Sequence, residues 1–248
     1  MNGTMPDTKL EYLGSGISVF VSAEHTFGTD ALLLAYFAAP KKTDKACDFG
    51  TGCGIIPLLW CRQERTAKIT AVEIQANACE QVRKSIELNA LEEKLEIINT
   101  DLLNLKELLP IGQWNLVTMN PPYYAANTGL KSCGEAELIA RHEVLCSLQE
   151  ISKAAAAVLK FGGRFCLCHR PERLCDVFAA MREAGIEPKR LRMVAHCTGK
   201  APKLILVEGK KGGKPGIKIE PQLVIKNDNG EYSDEMRAVY GEYAADNR

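Results

Sequence analysis

The tetrapeptide Asn120-Pro121-Pro122-Tyr123 carries the most specific chemistry in the 248-residue sequence. At average residue usage, a given four-residue string arises by chance in fewer than about one in a hundred chains of this length. An exocyclic amine on a conjugated ring is a poor nucleophile, because its lone pair is delocalised into the ring. Two acceptors on its N–H groups draw the nitrogen toward a pyramidal form. The Asn120 side-chain oxygen and the Pro121 carbonyl are candidate acceptors, and the two prolines stiffen the backbone that aims the carbonyl. Tyr123 offers a flat face on which a flipped base can stack. Such a set suits substitution at a planar nitrogen and needs no metal. By itself it is also a rigid Pro-Pro turn after a strand.

A second cluster, Asp48-Phe-Gly-Thr-Gly-Cys-Gly54, follows a strand and opens a helix. Gly50, Gly52 and Gly54 let the backbone turn sharply and approach a ligand. The helix N-terminus behind them suits a carboxylate or phosphate. The spacing is G-x-G-x-G rather than the G-x-G-x-x-G of dinucleotide folds. Asp48, before the first glycine, is placed to hold an ammonium directly or through water. Together they suit the methionine half of S-adenosyl-L-methionine better than a pyrophosphate. Methyl transfer would then be an in-line displacement from the sulfonium, driven by positioning.

Two further acids extend this pocket. Glu73, roughly twenty residues beyond the glycine turn, ends a β-branched strand, where a carboxylate can accept both hydroxyls of a ribose. Asp101 in Thr100-Asp-Leu-Leu103 is a candidate acceptor for the adenine amino group of the cofactor, although Asp also caps helices. The candidate cofactor set is Thr29, Asp48, Gly50, Thr51, Gly52, Gly54, Glu73, Ile74, Asp101, Leu102 and Asn120. The candidate catalytic set is Asn120, Pro121, Pro122 and Tyr123. Phe27-Gly-Thr-Asp30 either folds against the pocket or caps the helix it precedes. Arg141-His-Glu143 opens a long helix, where Glu143 favours the helix dipole. The Gly-, Ser- and Asn-containing loop from Tyr124 to Glu137 lies beside the site, as substrate-contacting loops do. His169 and His196 fall at strand ends and read as structural.

The elements that must position these residues alternate. Ile17, Val19 and Val21 mark a short strand, and Thr29 is the expected N-cap of a helix over 30–39. Strands are predicted at Ala46–Phe49, Ile69–Ile74, Leu95–Ile98, Trp114–Met119, Arg164–Cys168, Leu191–His196 and Leu204–Glu208. Helices are predicted at Ile55–Arg65, Gln75–Asn89, Arg141–Lys160, stopped by Gly162-Gly163, and Glu172–Ala184. A short helix is expected after Tyr232. This rhythm implies an α/β fold with a mostly parallel sheet, helices on both faces and right-handed crossovers. With no helix between the last two strands, the final one is expected to run antiparallel at the sheet edge. The organisation reads as an N-terminal strand and helix over 1–40, a core over 41–210 and an extension over 211–248.

Composition narrows the class. The chain is 46% hydrophobic and 25% charged, as soluble globular proteins are, with a formal net charge of zero. No apolar run reaches membrane-spanning length, and Met1 to Lys9 lacks the apolar core of a secretory signal. Ten cysteines are scattered without C-x-x-C spacing, which reads as reduced thiols in a cytoplasmic protein rather than disulfides or zinc ligands. Lys200, Lys203, Lys210, Lys211, Lys214 and Lys218 form either a solvated loop or a phosphate-contacting patch.

In order and spacing, the glycine turn, Glu73, Asp101 and Asn120-Pro-Pro-Tyr123 resemble the class I S-adenosylmethionine-dependent amino-methyltransferases. The likeness covers roughly residues 25 to 210. More narrowly, Phe27-Gly-Thr-Asp-Ala-Leu-Leu-Leu-Ala35, Ala140-Arg-His-Glu143 and Leu206-Val-Glu-Gly-Lys210 are similar to the bacterial tRNA (valine) adenine-N6-methyltransferase family. The resemblance implies a Rossmann-like, seven-stranded methyltransferase fold and S-adenosyl-L-methionine as donor. It implies an adenine near a tRNA anticodon as acceptor, so the expected partner is nucleic acid. It also implies cofactor contacts at Asp48, Gly50, Gly52, Gly54, Glu73 and Asp101, and target contacts at Asn120, Pro121 and Tyr123.

Other acceptors fit the same tetrapeptide. A glutamine amide in a release factor is equally planar, but enzymes of that kind usually carry a helical N-terminal domain. Only about forty-five residues precede the first core strand, few for an independent domain. A ribosomal RNA guanine-N2 enzyme or a DNA adenine enzyme would usually need a second domain. A non-catalytic RNA-binding module of this fold would not need both an acceptor motif and a cofactor loop.

Overall fold

The computed structural model describes residues 8–63, 68–121 and 146–243. Eleven strands are described: β1 Lys9–Gly14, β2 Ile17–Val21, β3 Lys45–Phe49, β4 Lys68–Glu73, β5 Leu95–Asn99, β6 Trp114–Met119, β7 Leu159–His169, β8 Ile186–Cys197, β9 Leu204–Lys211, β10 Lys218–Ile219 and β11 Leu223–Lys226. Helices α1 Thr29–Ala38, α2 Ile55–Arg62, α3 Ala76–Leu88, α4 Leu105–Leu108, α5 Leu148–Val158, α6 Leu174–Glu183 and α7 Asp234–Tyr240 accompany them.

β1 and β2 form an antiparallel hairpin. The remaining strands build a nine-stranded sheet in the order β5-β4-β3-β6-β7-β9-β8, with β10 and β11 pairing along the outer side of β8. Pairing is parallel throughout except along β9, which is antiparallel to both β7 and β8. The alternation of side chains along each strand feeds two cores. Ala46, Ile69, Ala71, Leu116 and Cys166 face the side covered by α1, α2 and the hairpin. Cys47, Phe49, Val72, Val117 and Phe165 face the side covered by α4, α5 and α6. Buried β-branched and aliphatic runs on both faces are what a covered parallel sheet requires.

Several expectations need correction. The antiparallel strand does not lie at the edge; β9 is inserted between β7 and β8, so its direction is held by hydrogen bonds on both sides. Helix α5 starts at Leu148 behind a capping box, in which the Ser147 hydroxyl accepts from Glu150 N and the Glu150 carboxylate accepts from Ser147 N. Arg141, His142 and Glu143 lie outside the described residues. The helix ends at Val158, and Gly162-Gly163 does not stop it. These glycines sit inside β7, where the register to β6 shifts between Trp114 and Leu116. A Cβ on Gly163 would stand 2.9 Å from Lys160 O and 3.0 Å from Trp114 O, so the bulge excludes any larger residue. Thr29 is not the N-cap of α1. Gly28 takes that place with extended backbone and no side-chain cap, and the Thr29 hydroxyl is hydrogen-bonded to Tyr240 Oη at 3.1 Å. That bond ties α1 to α7, and β10 and β11 extend the β8 edge. Among the described residues no helix is long and apolar enough to cross a membrane. All nine cysteines described are free thiols.

Candidate active site

The carboxyl ends of the parallel strands gather the sequence motifs on one edge, where ligands bind in open α/β sheets. At the end of β3 the chain turns through Gly50, Gly52 and Gly54 with φ of 60°, 55° and 82°. L-residues avoid that region, so glycine is what lets the turn close into α2. Thr51 N donates to Val72 O at 3.1 Å and Gly54 N to Thr51 O at 2.9 Å. A Cβ on Gly54 would meet Val82 Cγ2 at 3.1 Å, whereas one on Gly52 would meet nothing within 4 Å. Gly54 is thus needed for packing, while Gly52 borders open space.

Glu73, at the end of β4, braces this turn. Its Oε2 accepts from Gly52 N at 2.9 Å and its Oε1 from Gln75 N at 3.0 Å. Asn99 at the end of β5 donates to the Glu73 and Ile74 carbonyls, each at 2.9 Å. Asn99 is a contributor the sequence reading missed, since nothing in its local pattern separates it from a strand-end Asn. Ile74 is 42% exposed beside the acid, an apolar surface left uncovered at the sheet edge. Asp101 caps the single turn of 3-10 helix over Leu102–Asn104 through a 2.9 Å bond from Leu103 N. Its capping use is therefore real, and it stands at the same edge as Leu102.

Asp48 is 1% exposed and accepts from the Thr118 hydroxyl at 2.6 Å. Burial pushes its carboxyl up to about 7. The nearby Glu73 charge adds to the rise and the Thr118 bond opposes it. The Thr51 hydroxyl is buried beside this carboxylate and also opposes the rise, while no hydrogen bond of full geometry satisfies it among the described residues. Such a buried hydroxyl next to a costly buried carboxylate marks a place where a polar ligand would complete the bonding.

Asn120 follows β6, between the ends of β3 and β7, and Pro121 beside it is buried. The Cys168 thiol, on the neighbouring β7, donates to Asn120 Oδ1 at 3.0 Å. Cys168 escaped the sequence reading, where the cysteines stood only as scattered reduced thiols. Only the pairing of β6 with β7 brings it to the motif. Pro122 and Tyr123 lie outside the described residues, as does the loop from Tyr124 to Glu137. His169 ends β7, its Nδ1 accepting from Arg170 N at 2.8 Å. Burial, then the charges of Arg173 and Arg170, hold its imidazole down at about 4, so it is neutral near pH 7.

The structure thus brings Asp48, the glycine turn, Glu73, Ile74, Asp101, Leu102 and Asn120 to one sheet edge. Thr29 is engaged with Tyr240. The lysines do not stay together. Because β9 runs against the rest of the sheet, Lys200 and Lys203 stand at the site edge, while Lys210 and Lys211 are carried to the opposite edge.

The family model described as methyltransferase small domain matches residues 13–176. A Parabacteroides distasonis protein named tRNA1(Val) (adenine(37)-N6)-methyltransferase is 27% identical over 215 residues, covering 86% of this chain and 87% of the relative. A Cronobacter sakazakii protein of the same name is 29% identical over 210 residues, covering 83% and 82%. Among solved structures, an Agrobacterium tumefaciens protein described as a predicted O-methyltransferase aligns with a TM-score of 0.70 at 21% identity, covering 87% of this chain and 97% of that one. A second solved structure, the M. jannaschii tRNA m1G37 methyltransferase, aligns with a TM-score of 0.56 at 19% identity, covering 86% and 59%. These structures share the fold.

Proposed function

The chain belongs to the methyltransferase small domain family, and from that premise we propose that it transfers a methyl group from S-adenosyl-L-methionine to N6 of an adenine in RNA, near a tRNA anticodon. The observation that carries the proposal is the placement of Asn120 and Pro121 at the end of β6, one strand from the glycine turn after β3. The names of relatives that align over most of the chain support the adenine and tRNA parts of the reading.

The residues present fit the cofactor. The turn at Gly52 is open, the buried Thr51 hydroxyl stands beside Asp48, and Asp48, Glu73 and Asp101 put carboxylates around the same edge. Asp48 would face the ammonium, Glu73 the ribose hydroxyls, and Asp101 with Ile74 and Leu102 the adenine. When bound, S-adenosyl-L-methionine supplies an activated methyl on a sulfonium.

The chain's own residues prepare the acceptor. Asn120 Oδ1 has two lone pairs, and the Cys168 thiol takes one. In this reading Asn120 Oδ1 also accepts an N–H of the target amine. The Pro121 carbonyl is the second acceptor. Both draw the amine lone pair out of conjugation with the ring, and the rigid Asn-Pro backbone limits reorganisation as charge develops. Burial of Pro121 keeps that backbone in place. No acid or base with a strongly shifted pKa is required beside the nitrogen, so positioning is the main contribution.

The test uses purified protein with methyl-labelled S-adenosyl-L-methionine and two acceptors, unmodified total tRNA and a recombinant release factor. Label recovered as N6-methyladenosine from tRNA is the expected result. Label in the release factor would move the activity to a glutamine amide at the same site, and label in neither would reject both acceptors.

A further inference from the structure

Beside the acceptor site, the sheet edge carries a cleft of about 560 Å³. Its floor is apolar, formed by Leu33 of α1, Val194 and Ala195 of β8, and Leu204 of β9. Its rim is polar. Arg170 follows β7, Lys203 precedes β9 and His196 is the last residue but one of β8, and all three are exposed. Asp30 and Glu172 line the same cleft. Arg170 and Lys203 make no ion pair among the described residues. Neither the cofactor reading nor the acceptor reading uses any of these side chains.

The fold fixes where the cleft lies relative to the reaction. Arg170 stands two positions beyond Cys168, whose thiol holds Asn120. Adjacent strands are about 4.8 Å apart, so β7, β9 and β8 set the cleft roughly 5 to 15 Å from the Asn120 strand. A polynucleotide whose target base is drawn to Asn120 must lay its adjoining nucleotides at about this range.

The chemistry of the rim identifies the occupant. Two cations with no ion pair among the described residues offer charge-assisted bonds to a phosphate. Two carboxylates offer acceptors for ribose hydroxyls or base amino groups, and the 2′-hydroxyl is the donor that separates RNA from DNA. The imidazole of His196 and the apolar floor give a face for a base or sugar. A bare anion would not use the floor, and an apolar ligand would not use the rim.

We propose that this cleft seats the nucleotide next to the one being methylated, with its phosphate on Arg170 and Lys203. The proposal rests on the reading of the chain as an RNA methyltransferase. It replaces the whole lysine cluster by its site-edge members. Lys210 and Lys211 are excluded, since they lie at the far edge and the Lys211 ammonium is occupied by the Leu159 carbonyl at 2.8 Å.

The test compares the full-length wild type with R170Q/K203Q and with the far-edge control K210Q/K211Q. Binding of an unmodified tRNA transcript is followed by fluorescence anisotropy over a salt series, and methylation kinetics are measured in parallel. R170Q/K203Q should weaken binding about 10-fold or more and flatten the plot of log affinity against log salt by about 1 to 2, as loss of one or two phosphate contacts does. KM for RNA should rise, while S-adenosyl-L-methionine affinity stays within about 2-fold, which also reports that the variant is folded. The control should match wild type. An RNA with one abasic nucleotide beside the target should weaken wild type, and its effect should not add to that of R170Q/K203Q. Wild-type affinity and slope in R170Q/K203Q, or full additivity with the abasic RNA, would overturn the cleft while leaving the methyltransferase reading intact. Wild type that neither binds nor methylates the transcript would overturn both.

Discussion

The Cys168 thiol on β7 donates to Asn120 Oδ1 at the end of β6 across 3.0 Å. This bond fixes the acceptor oxygen of the motif from the adjacent strand. Cys168 is fully buried, so the donor competes with no water. Cys168→Ala should lower the single-turnover rate about 3- to 30-fold while leaving cofactor affinity unchanged. Cys168→Ser, which keeps a donor, should recover part of the loss. If both variants transfer at the wild-type rate, the thiol does not position Asn120.

Asn120→Ala removes the proposed acceptor itself. Loss of one preorganised polar contact of this kind costs about 10²- to 10³-fold in kcat. Because Asn120 follows β6 while the glycine turn follows β3, calorimetric binding of S-adenosyl-L-methionine should fall by no more than about 3-fold. Turnover near wild type would displace the acceptor from Asn120.

Much of this site was legible in the residues. Glycines of a G-x-G-x-G turn have one conformational explanation, and Asn-Pro-Pro-Tyr has few uses, so local spacing marked both. Relations between strands were not legible. The insertion of β9 between β7 and β8 depends on long-range pairing, and it alone divides Lys203 from Lys210. The partnership of Cys168 with Asn120 spans forty-eight positions and has no local signature. Gly162-Gly163 was ambiguous for a related reason: paired glycines end helices and also bulge strands, and only the register to Trp114 decides between them. Asp101 was read both as a cap and as a cofactor contact; its capping bond from Leu103 N is formed, at the same edge as the glycine turn.

The glycine turn gives a paired prediction. At Gly54 a Cβ meets Val82 at 3.1 Å, and at Gly52 it meets nothing within 4 Å. Both positions have positive φ, so alanine costs about 1 to 2 kcal/mol at either. Gly54→Ala should lose more stability than that, because Val82 is buried and must shift. Gly52→Ala should lose only the backbone cost yet weaken cofactor binding by about 10-fold or more, since its methyl enters the open space. Urea unfolding and calorimetric titration check the two together. Equal cofactor affinities in Gly52→Ala and wild type would place the cofactor elsewhere.

Asp48 predicts how pH acts on both folding and binding. Its carboxyl stands at about 7 in the fold, with burial the main cause, against an ordinary value near 3.8. The folded state therefore holds this proton more tightly than the unfolded chain. The stabilisation is fully present below about pH 4, declines as pH rises toward 7, and is gone above it, amounting to of order 4 kcal/mol. A cationic ammonium favours the charged form, so cofactor binding should release a proton below about pH 7 and weaken as pH falls. Asp48→Asn keeps an acceptor for the Thr118 hydroxyl but carries no charge. It should remove this share of the pH dependence of unfolding between pH 4 and 7, leave the protein at least as stable at pH 8, and weaken cofactor binding by about 10-fold or more. Urea unfolding at several pH values, with calorimetry in buffers of different ionisation enthalpy, measures each part. If Asp48→Asn binds the cofactor as wild type does at pH 8, the carboxylate does not face the ammonium, and its raised pKa is only a consequence of burial beside Thr118.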